Sequence, residues 1–179
     1  YYLYGRPLGP GDGMPVYFMH SIVSDLRALK GVSLGDYIEV YRTHGAEEGK
    51  APDIFSYSHL NSYITGRFYW DVNQDLDAML EEYYDKYFGP ARKQMKAFVE
   101  YAEANWMNIT RDKTVIDRLF DLLDAACKAA GDTIYGKRIE RIMNYIQPMK
   151  TVGARLSKSR ENMPEVRVLG KEKSDIKLD

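Results

Sequence analysis

Two short extended segments separated by one amphipathic helix set the terms for everything this chain can fold into. Tyr1-Tyr2-Leu3-Tyr4-Gly5 reads as an aromatic strand, and Asp36-Tyr37-Ile38-Glu39-Val40-Tyr41-Arg42, with its alternating polarity, reads as a second. Between them, Pro7-Leu8-Gly9-Pro10-Gly11-Asp12-Gly13 is a loop by its turn residues. Pro15 then suits the first turn of a helix, with Val16, Met19, Ile22, Val23, Leu26 and Leu29 at helical spacing up to Lys30. Gly31 is placed to end it in a left-handed turn. A strand–helix–strand crossover makes its strands parallel. Two parallel strands alone can neither cover both faces nor pair both edges. The opening residues, which lack a start methionine, therefore read as the tail of a larger α/β domain whose other strands lie upstream.

From Pro52 onward the periodicity is helical, with no strand pattern until the last residues. Asp53 is placed to cap a helix carrying Phe55, Leu60, Tyr63, Ile64 and Phe68. Asp71 and Gln74 have capping-box spacing before a stripe of Leu76, Met79, Leu80, Tyr83, Tyr84 and Tyr87. Gly89-Pro90 ends that helix and opens another, whose stripe is Met95, Phe98, Val99, Ala102 and Trp106. A fourth helix is predicted over 113–130, closed by Gly131. A fifth is capped by Asp132, with Ile134, Tyr135, Ile139, Ile142, Met143, Ile146 and Met149 inward, and Pro148 is expected to kink or end it. Residues 166–169 could form one more strand, ahead of a frayed end. The expected fold class is mainly α: a bundle of about five helices over 53–160, preceded by a β-α-β fragment at 1–52 and followed by a tail at 161–179.

Composition excludes more than it selects. Apolar residues at 45% and charged residues at 28% are globular values, and a formal net charge of −1 gives no electrostatic case for nucleic acid. No run approaches the ~18 apolar residues of a membrane span. The single cysteine, Cys127, rules out an internal disulfide and reads as a small buried residue in an Ala-rich helix. His20, His44 and His59 have no partners at ligand spacing, so no metal or cofactor is expected. The 15 tyrosines outnumber the 6 phenylalanines, which suits half-buried helix faces and also suits clefts where rings stack on sugars.

An ordered series runs through the helical region: Leu60-Asn61-Ser62-Tyr63, then Trp70-Asp71-Val72-Asn73-Gln74-Asp75-Leu76-Asp77, then Tyr87-Phe88-Gly89-Pro90-Ala91, then Met95. It resembles an uncharacterised bacterial family that accompanies glycoside-hydrolase-like TIM barrels, where such a series joins the last barrel strand to a helical C-terminal region. The alpha-glucuronidases are arranged comparably, barrel first and helices after. The resemblance spans roughly Val16 to Met149. It implies that residues 1–5 and 36–42 correspond to the last two strands of a (β/α)8 barrel. It also implies a periplasmic, cell-surface or secreted carbohydrate-processing protein, with the upstream barrel and a polysaccharide or oligosaccharide as partners.

In such barrels the active site lies on the loops after the strands, here 6–14 and 43–53. Tyr37, Glu39 and Tyr41 share one face of the second strand, and with His44 they form the candidate saccharide-binding set. The structural alternative is a solvent-facing strand side with Glu39 paired to an arginine. Glycoside hydrolysis needs two facing carboxylates about 5–10 Å apart, and only Glu39 is well placed, so a catalytic pair would come mostly from upstream. Glu47 and Glu48 read as solvated loop charge, and Asp71, Asp75 and Asp77 as helix-start charge. His20 and His59 read as ordinary packed or half-exposed residues. Trp70 reads as hinge packing or a sugar-stacking platform, and Trp106 as core. The rival to the whole reading is a non-catalytic helical interaction or structural module.

Overall fold

The computed structural model describes residues 13–35 and 54–161, the side chains of 54–58 and 159–161 excepted. Both expected strands, the loop at 43–50, the Asp53 cap and the run at 166–169 lie outside these residues. The described part is mainly helical and forms a helical bundle. Its elements are α1 (Met19–Leu29), α2 (Ile54–Trp70), α3 (Leu76–Phe88), a 3-10 turn (Gly89–Ala91), α4 (Arg92–Asn105), α5 (Lys113–Ala130), α6 (Ile134–Ile146) and α7 (Met149–Glu161).

Helix boundaries have local causes, and some differ from the expected ones. Asp75, not Asp71, caps α3 by accepting from the Ala78 amide at 3.1 Å. Gln74 is committed elsewhere, its side-chain amide donating to the carbonyls of Arg67 at 2.6 Å and Asp71 at 2.9 Å. Those bonds close the end of α2, so the next helix starts one turn late. Asp112 caps α5 through the Thr114 amide at 2.9 Å. Thr133, not Asp132, caps α6: its hydroxyl donates to the Ala130 carbonyl at 2.9 Å and accepts from the Gly136 amide at 3.2 Å. One hydroxyl thus serves the end of α5 and the start of α6.

Gly89 has φ +49, and a Cβ there would lie 2.8 Å from the Tyr135 ring, so the α3 terminus needs glycine for conformation and for space. Pro148 ends α6 as expected, but a further helix, α7, which the apolar pattern did not separate from α6, follows directly. Residues 54–161 therefore hold six helices rather than five. The apolar face of α7, Met149, Val152 and half-buried Leu156, is too thin to stand out among its charges.

The centre of the bundle is α5, which packs on α4, α6, α7 and the 3-10 turn. It buries Val115, Ile116, Leu119, Leu122, Leu123, Ala126 and Ala130, opposite Met95, Phe98 and Val99 of α4 and Ile139, Ile142 and Ile146 of α6. At ~1.5–3 kcal/mol per fully buried large side chain, this seam is the main source of cohesion.

Three expected core or hinge positions prove exposed. Ile134, 59% exposed, lies five residues before Ile139, about 140° around the helix from it. Trp106 is 38% exposed, just past the end of α4 at Asn105, and its ring makes a T-shaped contact with Phe18 at 5.2 Å. Trp70 is 92% exposed, sitting about 200° around α2 from buried Phe68.

Candidate functional site

The expected saccharide-binding face, Tyr37, Glu39, Tyr41 and His44, lies outside the described residues. Within them, the polar and aromatic side chains gather in two places along α2.

The first is a clamp. Residues 13–18 do not begin α1 as predicted; they run into the bundle outside any helix or strand, with Met14, Val16 and Tyr17 buried, and the helix starts at Met19. Backbone that is buried outside a helix or strand must find hydrogen-bond partners. Asn61, only 2% exposed, provides them: its Nδ2 donates to the Val16 carbonyl at 2.9 Å and its Oδ1 accepts from the Phe18 amide at 3.2 Å. The amide imitates one rung of a β-ladder from a helix. Thr65, one turn on, returns its hydroxyl to the Asn61 carbonyl at 2.7 Å. At the other end of the pair, Arg27 of α1 donates to the carbonyls of Val72 and Gln74 at 3.2 and 2.9 Å. With the start of α1 beside the middle of α2 and its end beside the residues that follow α2, the two helices run parallel.

The second is an aromatic and cationic cluster across α2, α3 and α6. The His59 imidazole stacks on Tyr87, centroids 4.9 Å apart and planes 15° apart, and its Nδ1 is 3.0 Å from the Tyr83 hydroxyl. Tyr83 itself stacks on Tyr87 at 5.0 Å, and His59 and Tyr83 are 5.8 Å apart, so the three rings form a compact triangle. Arg138 places its guanidinium 4.5 Å from the Tyr87 ring and donates to the Tyr87 carbonyl at 2.8 Å. Tyr63 extends the cluster to Arg67, which donates to its hydroxyl at 2.8 Å.

Electrostatics follow from burial. Desolvation lifts the phenols of Tyr17, Tyr83 and Tyr84 well above the ordinary tyrosine range, so they stay neutral rather than serve as nucleophiles. Burial, and then the Arg138 charge, push the His59 imidazole below the usual histidine value. Burial likewise raises the half-buried Cys127 thiol, an unreactive setting for sulfur. His20, in the first turn of α1, meets Glu103 twice: its backbone amide donates to the carboxylate at 3.0 Å and its ring Nδ1 lies 2.8 Å from it. A shallow groove of about 420 Å³ between α5 and α7 has Ile116, Phe120 and Gly153 in its wall, with Lys150 4.8 Å from the Phe120 ring. Lys113 and Asp117 on its rim are paired with each other.

The sequence marks His59 only as an ordinary packed or half-exposed residue and gives Asn61 no role of its own. The spacing did carry a signal for the cluster: His59, Tyr63 and Arg67 recur every four residues, as do Tyr83 and Tyr87. Among the described residues, no three His, Cys, Asp or Glu side chains gather as a metal site, and no helix is long and apolar enough to cross a membrane. No family model, curated protein or solved structure matches the chain.

Proposed function

We propose that this chain is the C-terminal part of a glycoside-hydrolase-like protein that acts on or binds carbohydrate, its helices serving as the non-catalytic buttress of a barrel. In this reading residues 1–5 and 36–42 are the last barrel strands, Tyr37, Glu39, Tyr41 and His44 meet the saccharide, and the catalytic residues come mostly from upstream. The protein would work in the periplasm, at the cell surface or after secretion.

The observation that supports the buttressing role is the position of the residues that carry the resemblance. Asn61 clamps residues 13–18, Gln74 closes the end of α2, Gly89 makes the tight α3 terminus and Met95 is wholly buried. Each joins or fills the bundle, and the clamp fastens the bundle to chain that leads directly from the N-terminal segment. The test of the carbohydrate half is Glu39→Ala in the complete protein. Saccharide binding or turnover should fall while the melting temperature holds; unchanged binding and turnover would remove Glu39 from the site.

A second reading, a helical interaction module, is favoured by the exposed apolar side chains Leu29, Val32 and Leu34 at and after the end of α1 and by Trp70 at the end of α2. The bonds from Arg27 and Lys30 to residues 72–74 bring those two ends together. Full retention of saccharide affinity in Glu39→Ala, with loss of a protein partner in Trp70→Ala, would select it.

A further inference from the structure

We infer that the groove between α5 and α7 is the docking site of the chain's own C-terminal segment: Val166 and Val168 cover its apolar floor, and Glu165 and Arg167 meet Lys113 and Asp117 on its rim. The inference is independent of what the protein binds. The segment itself lies outside the described residues.

The groove is open where two packed helices would ordinarily close. Gly153 lies inside α7, where glycine is a poorer helix former than alanine, and its φ is not in the left-handed region. Packing does not require it either: a Cβ there would meet Ile116 and Lys113 at 3.7 Å, ordinary contact. What the missing side chain gives is depth. Gly153, Ile116 and half-buried Phe120 form an apolar floor, bordered by Lys113, Asp117, Asp121 and Lys150. Such a floor between charged rims suits a segment that alternates apolar and charged residues.

The first apolar run after α7 has that pattern. In extended form Glu165-Val166-Arg167-Val168 places both valines on one face and both charges on the other. Its spacing fits the floor. Ile116 and Phe120 are about 6 Å apart along α5, and alternate residues of extended chain are about 6.6 Å apart. The rim fits in charge. Lys113 and Asp117 have the same spacing along α5, so a segment running with α5 sets Glu165 level with Lys113 and Arg167 level with Asp117, each opposite in sign. The long Lys113 and Arg167 side chains supply the reach across the segment. Lys113 and Asp117 pair with each other and are half exposed, which leaves room for a second partner on each.

Direction and length agree with this. Lys150 lies against Phe120, while Gly153, one turn later, lies against Ile116 and Lys113, so α7 runs antiparallel to α5. The end of α7 therefore points past the start of α5. Chain that turns back after Glu161 enters the groove at Lys113 and runs with α5, the direction the charges require. Asn162 and Pro164 are suited to that turn. Glu161 is about 12 Å along the helix from Gly153, and the four residues to Glu165 span about 13 Å when extended.

The test uses the full chain. Nuclear Overhauser contacts should join the Val166 and Val168 methyls to the Phe120 ring within one molecule. Val168→Asp should abolish them and shift the Phe120 and Gly153 resonances. A synthetic peptide of residues 162–179 should bind saturably to the Val168→Asp chain and far more weakly to the wild type, whose groove is filled. Exchanging the charges in the peptide, Glu165→Lys with Arg167→Glu, should weaken that binding. A wild-type spectrum without the methyl–ring contacts, or groove resonances indifferent to Val168→Asp, would overturn the proposal. Contacts found only between differently labelled molecules would overturn it in favour of a second copy. The wild-type spectrum decides the matter however the variant behaves.

Discussion

Helices α5 and α2 are nearly equal in length, 18 and 17 residues, yet they are held in the bundle by opposite means. Every buried residue of α5 is apolar, and its partners on α4, α6 and α7 are apolar too. The buried residues of α2 include Asn61 and Thr65 beside Leu60, Ile64 and Phe68, and its flank carries His59, Tyr63 and Arg67. Dispersion and hydrophobic contacts are non-directional, so the α5 seam tolerates small shifts of its neighbours. The α2 contacts are directional. Asn61 meets one carbonyl and one amide at fixed positions, and no apolar side chain can substitute for it. The bundle thus has a cohesive side and a specifying side, and the specifying side is the one that receives the N-terminal chain.

Truncation of the cohesive seam gives the largest expected effect. Leu123→Ala, at a fully buried position in α5, should cost about 3–4 kcal/mol in urea unfolding, the range for a leucine cavity that cannot collapse. A cost below about 1 kcal/mol would mean that α5 is not the centre of cohesion. The specifying side is tested next. Asn61→Leu keeps a similar volume but strands the Val16 carbonyl and the Phe18 amide, and should cost about 2–3 kcal/mol. A neutral outcome would erase the contrast between the two helices. The smallest effect has the opposite sign. The Tyr84 hydroxyl is buried, with no hydrogen-bond partner among the described residues, so Tyr84→Phe should be neutral or stabilising by up to about 1 kcal/mol. A clear loss would show that the phenol contributes a bond of its own.

The same contrast explains how much was legible in the sequence. The span of α5 and the glycine that ends it follow from apolar periodicity and a turn residue, both local signals. The start of α1 did not, because Val16 falls in register with a helix while its backbone is claimed by Asn61, 45 residues away. Asp71 and Asp132 have the right chemistry to cap. Asp75 and Thr133 cap instead, because Gln74 closes the end of α2 and Thr133 bonds Ala130 of the preceding helix. Ile134 was expected inward as the head of an apolar stripe and Trp70 in hinge packing or as a sugar platform, and the helical angle turns each away from the core. The His59 cluster was visible only as spacing within each helix; that the helices meet there is a tertiary fact. The saccharide-binding face proposed at Tyr37, Glu39, Tyr41 and His44 remains a reading of strand alternation and resemblance.

The most direct measurement is hydrogen exchange at the Phe18 amide compared with the amides of α5, in the wild type and in Asn61→Leu. A directional clamp predicts protection of Phe18 in the wild type that is lost in the variant, while α5 protection falls only with the global stability. Phe18 exchanging freely in the wild type, or staying equally protected without Asn61, would contradict it.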